Sequence, residues 1–117
     1  MMPQYVLMLL EDESWEKQSK DEMKRAYAAI GAWVDDLRNK GIMKGGEELQ
    51  SKRTATTVRR RNGAMSVTEG PFIESKEHVG GFSILELPDK AAAVALAKTW
   101  PGYGIEMRPI VDQQEGR

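Results

Sequence analysis

Tyr5-Val-Leu-Met-Leu-Leu10 is apolar at every position rather than at alternate ones. A strand of that kind offers side chains to both faces of a sheet and is at home where both faces are covered. Gly81-Phe-Ser-Ile-Leu-Glu-Leu87 repeats the pattern, apart from Ser83 and Glu86. Each of these two strands calls for cover on both of its faces.

Outward from the first strand, Glu11-Asp-Glu13 forms a solvated exit and Trp15 folds back on the strand end. Ser19-Lys-Asp-Glu22 has the spacing of a capping box, in which serine and glutamate each satisfy the other's free amide donor. Met23, Ala26, Tyr27, Ile30, Trp33, Val34 and Leu37 then recur at three- and four-residue steps, one apolar helical stripe. Gly31 within it is small enough to admit a neighbouring backbone, and Gly41 after Arg38-Asn-Lys40 is a helix stop. Gly45-Gly46 opens a short edge strand over residues 47–51, and the β-branched run at 54–61 reads as another strand. Asn62-Gly63 predicts a hairpin turn, returning through residues 64–68. Beyond the second such strand, Asp89 caps a helix over residues 90–99, which Trp100-Pro101-Gly102 ends. A last strand spans 105–111, followed by a polar tail at 112–117.

The order strand, helix, strands, hairpin, strand, helix, strand predicts one domain over residues 1–117. Its class is α+β, a ferredoxin-like split βαβ arrangement with an antiparallel sheet. Two helices cover only one face of such a sheet. The two-faced strands therefore call for a second cover, and the expectation is a homodimer with sheets packed face to face about a two-fold axis.

With 17 basic and 18 acidic residues among 117, the net charge of −1 gives no general pull on nucleic acid or membranes. Nucleic-acid binding would need a broader basic face with stacking aromatics. The absence of cysteine excludes disulfides, zinc–thiolate sites and thiol catalysis. The first apolar run is too short to span a bilayer and lacks the flanks of a secretory signal, so the expected location is the cytoplasm. No glycine-rich phosphate-binding pattern and no diagnostic metal spacing is present; no cofactor and no metal are expected.

Residues 68–82, TEGPFIESKEHVGGF, concentrate glycine turns and charge between apolar runs. Glu69, Glu74, Lys76 and Glu77 form a candidate carboxylate–ammonium cluster at the mouth of a cleft, where Glu69 or Glu77 would act on a proton. The same charges read more readily as a latch, in which Glu74 and Lys76 hold the loop by salt bridges across the sheet or dimer. Arg59, in the strand before the hairpin turn, is the candidate clamp for an anionic group or the partner of Glu69 or Glu74. His78 reads as a surface histidine. Two functions follow. One is a binder of a small anionic molecule in a cleft beside residues 68–82, with weak acid–base capability, whose site residues are Arg59, Glu69, Glu74, Lys76 and Glu77. The other is a non-catalytic interaction module.

Glu69-Gly-Pro-Phe72, Glu74-Ser-Lys-Glu77 and Gly80-Gly-Phe82 together resemble the signature of the DGPF-type branch of the YCII-related proteins. Gly45-Gly-Glu-Glu-Leu49, Ala55-Thr-Thr-Val-Arg59, Glu86-Leu-Pro88 and Arg108-Pro109 extend the likeness over nearly the whole chain. The resemblance implies a ferredoxin-like fold dimerising into an α+β barrel, and it brings no known reaction. The broader group is suspected of chemistry through a histidine–aspartate pair; here the only histidine, His78, lies inside the signature. Glu69 stands where the signature carries aspartate. Relatives found beside extracytoplasmic-type sigma factors imply, for the second function, an association with transcription initiation factors.

Overall fold

β1 (Gln4–Glu11) lies in the interior of a four-stranded sheet and pairs antiparallel with β5 (His78–Glu86) on one side and β6 (Gly104–Pro109) on the other. β2 (Met43–Glu48) closes the far edge against β5, giving the order β2-β5-β1-β6. This is the computed structural model of the chain, and it describes residues 2–72 and 75–112. Each central strand is followed by a helix, α2 (Lys20–Asn39) or α3 (Lys90–Ala97), that returns the chain to an edge. The result is a mixed α+β architecture with antiparallel pairing, consistent with the ferredoxin-like expectation.

The local signals act as their chemistry requires. Ser19 accepts from the Glu22 amide and Glu22 reaches back to the Ser19 amide, both at 3.1 Å, so both halves of the capping box are made. Asp89 caps α3 through the Ala92 amide. Asn62 (φ 50) and Gly63 (φ 80) supply the two positive φ angles of a tight hairpin turn. That turn joins β3 (Thr56–Arg61) to β4 (Ala64–Glu69), and the pair forms a two-stranded sheet of its own. A one-turn helix, α1 (Glu13–Glu16), follows β1 and is capped by Asp12.

Several boundaries differ from those expected. The glycine pair Gly45-Gly46 lies inside β2 rather than opening a strand at residue 47. β5 begins at His78, three residues before Gly81, so part of the expected loop is strand. α3 stops at Ala97, and β6 stops at Pro109. Among the described residues no neighbouring element approaches Gly31: a Cβ there would meet nothing within 4 Å.

The core lies between the sheet and the helices. Tyr5, Leu7 and Leu85 point into it from the strands, Leu37 from α2, Ala93 from α3 and Leu87 from the turn before α3. Leu7 and Leu85 are wholly buried, each contributing about 1.5–3 kcal/mol of burial free energy. The alternate side chains, Val6, Met8, Phe82 and Ile84, face away from that core and are half-buried. In register, Val6 pairs with Ile84 and Met8 with Phe82, an apolar strip along the outer face of the sheet. Among the described residues, no helix is long and apolar enough to cross a membrane.

Candidate functional site

The apolar stripe of α2 closes tightly on the sheet only at its C-terminal end. Leu37 is buried, whereas Met23, Ala26, Ile30, Trp33 and Val34 remain half-buried. The reason is a cavity of about 530 Å³ beneath the helix, within the range of small-molecule sites. Ile30, Gly31 and Val34 form its roof, Leu9 and Met43 part of its floor, and Trp100–Tyr103, the loop before β6, one wall. Glu11, Asp12, Glu47 and Glu48 bring carboxylates to its lining, against the single cation Arg38.

Glu11 owes its position to an irregularity in the sheet. Opposite Leu9-Leu10 of β1, strand β5 runs from Gly81 to Val79, so Gly80 is an extra residue without a partner in β1. This is a β-bulge. A Cβ on Gly80 would lie only 2.3–2.8 Å from the carboxylate atoms of Glu11, so glycine is what lets that carboxylate lie against the strand. The chain of β5 then brings His78 opposite Glu11 in the ladder. His78 Nε2 lies 2.9 Å from Glu11 Oε1, with side-chain exposures of only 12% and 20%. His78 is therefore not a surface histidine; it backs Glu11, and Glu11 faces the cavity. Its Nδ1 is buried without a partner among the described residues.

Two tyrosines extend this acidic edge. Tyr27 OH donates to Glu48 at 2.6 Å, and that bond, with some burial, pushes the phenol up to about 12. Tyr103 OH donates to Glu77 at 2.8 Å, which raises its ionisation above the ordinary tyrosine value. Asp12 accepts from the hydroxyl and amide of Ser14, and these bonds hold its carboxyl below the usual range. Gln18 Oε1 and Trp100 Nε1, both on residues lining the cavity, are buried without a partner among the described residues. One is an acceptor and the other a donor. Trp100 is held edge-on to Trp33, ring centres 5.0 Å apart, and Trp33 in turn donates to Thr99.

Of the residues singled out from sequence, Arg59, Glu69 and Glu77 make separate contacts. Arg59 lies on the hairpin, 4.1 Å from the Phe72 ring centre and donating to the Phe72 carbonyl at 3.4 Å. Glu69, at the hairpin base, accepts from the Thr56 hydroxyl. Lys76 is exposed before β5, and Glu77 reaches the cavity wall only through Tyr103. Glu74 lies outside the described residues. Sequence reasoning missed Glu11, Gln18, Tyr27, Glu48 and Trp100 as site residues. The available signal was the glycine pair at 80–81, since glycine inside a strand marks a bulge or a close approach.

An antiparallel α+β fold with a carboxylate-edged cavity between helix and sheet defines the class of protein. The family model for the YCII-related domain matches residues 4–113, and the chain belongs to that family. No curated protein matches it.

Proposed function

We propose that this protein, in the DGPF-type branch of its family, is a cytoplasmic homodimer that binds a small molecule in the cavity beneath α2. The observation that carries this reading is the cavity itself, apolar over most of its wall and supplied with convergent polar groups. Its lining carboxylates outnumber its one cation, which favours a ligand with an apolar body and a neutral or cationic polar end over the anionic ligand expected from Arg59. Glu11 is the group placed to accept or deliver a proton there, and His78 steadies its charge and can pass the proton on. An open cavity with polar groups supports binding over the interaction-module reading, which would be better served by a filled interior.

The dimer is supported by the apolar strip of Val6, Met8, Phe82 and Ile84 on the face of the sheet turned away from the core. The Val6–Phe82 strip is the face best suited to be covered.

A thermal-shift screen tests the site, using panels of cationic, neutral and anionic small molecules against wild type, Glu11→Gln and the cavity-filling Val34→Trp. Cationic or neutral amphiphiles should raise the Tm of wild type, less so that of Glu11→Gln, and not that of Val34→Trp. Shifts confined to anions, or unaffected by Val34→Trp, would refute it. A light-scattering mass near that of one chain at micromolar concentration would refute the dimer.

A further inference from the structure

The β3–β4 hairpin is bonded to no strand of the four-stranded sheet, and a lone two-stranded hairpin is marginal in water. Its ladder pairs Thr56 with Glu69, Val58 with Val67 and Arg60 with Met65. By the two-residue period of a strand these six share one face, and all six are exposed. Val58, Met65 and Val67 are exposed to 53%, 56% and 66%. The opposite face is the better shielded one, yet it carries Thr57, Arg59 and Ser66, each half-buried. The ribbon is thus inside out, with its apolar residues in solvent and its polar ones sheltered, the pattern of a surface made to be covered.

The charges on that face say what covers it. Arg60 and Met65 lie towards the turn, Val58 and Val67 in the middle, and Thr56 and Glu69 at the base. We propose that this face packs on the same face of a second copy of the chain, about a two-fold axis that lies between the two faces and crosses the strands at the level of the Val58–Val67 pair. Such an axis turns the pattern end for end, so that Arg60 of each copy lies over Thr56 of the other and one strand spacing from its Glu69, within reach of the long arginine side chain. A self-complementary patch of this kind is what a two-fold contact requires. Six residues per strand give a ribbon about 20 Å long and about 10 Å wide, too small to hold two chains alone. The contact therefore rests on the sheet-face pairing proposed above and adds to it.

The chain has no cysteine, so one introduced thiol reports one position. Val67→Cys, near the axis, should form an intermolecular disulfide under mild oxidation, and Thr68→Cys, on the opposite face, should not. Equal cross-linking at the two positions, no cross-linking at Val67, or capture there of a different protein overturns the proposal. A dilution series by light scattering is the second measurement. Arg60→Glu and Glu69→Arg should each weaken association about tenfold, and their combination should restore it. Single variants without effect, or a combination that gives no rescue, also overturn it. Met8→Glu tests the sheet-face pairing separately: an unchanged mass refutes that pairing and removes the footing of the hairpin contact, whereas negative thiol and charge-swap results refute the hairpin contact and leave the sheet-face pairing standing.

Discussion

Replacing Gly80 by alanine isolates the device that positions the Glu11–His78 pair. Gly80 is not among the positive-φ residues, so backbone strain is not at issue and the clash is steric. The new methyl group crowds the Glu11 carboxylate, which must swing away from His78. The displaced atoms are the far end of a flexible side chain, so the carboxylate gives way and the cost is the lost His78 hydrogen bond, about 0.5–1.5 kcal/mol. For 117 residues the unfolding entropy is about 0.25 kcal/mol/K, so the melting temperature should fall by about 2–6 °C at fixed protein concentration. The decisive measurement is the same substitution in a Glu11→Ala background. There the methyl group meets no carboxylate, and the remaining effect is the lost freedom of the unfolded chain, worth about 0.4–1 kcal/mol in favour of alanine. The cost should therefore vanish or change sign. Equal destabilisation in both backgrounds, read from urea midpoints, would refute the claim that glycine is there to make room for Glu11.

Leu7→Ala empties a wholly buried position at the centre of the core, and urea unfolding should show a loss of about 2–5 kcal/mol. Ser19→Ala removes the serine half of the capping box and should cost about 0.5–2 kcal/mol, with the loss of helical circular dichroism beginning at lower temperature. Tyr27 should ionise near 12 rather than near 10, followed by tyrosinate absorbance, and Glu48→Ala should bring it back down. Because the folded-state value is raised, the stabilisation linked to Tyr27 is complete below pH 10 and disappears as pH rises through 12.

What was legible in the sequence is what short-range chemistry decides. The Ser19 box, the Asp89 cap and the Asn62-Gly63 turn each involve residues a few positions apart, and all three are present as read. Tyr5–Leu10 is a strand as read, and its place inside the sheet comes from pairings distant in sequence. The candidate site was far less legible, because its central contact joins residues 67 positions apart across a bulge that shifts the register by one. Composition around His78 suggested solvent; the register put its ring against Glu11. Arg59, expected to face an anion, instead lies over the Phe72 ring of its own loop, an attraction between cation and π face that sequence spacing does not reveal. The cavity is a property of how α2 rests on the sheet, and a helical stripe alone does not tell whether its whole length is filled beneath.

The hairpin also bears on how the chain finds its fold. β2 and β5 are neighbours in the sheet although about 30 residues separate them, and the Leu49 amide donates to the Gly80 carbonyl where the chain leaves and rejoins the sheet. The intervening segment departs and returns at adjacent points, and its own turn is local enough to close in microseconds. Loop-closure entropy rises by only about 0.6 kcal/mol for each doubling of length. Shortening this segment or splicing in another should therefore leave the four-stranded sheet and its folding order nearly untouched, which makes the junction beside Gly80 a port for grafting.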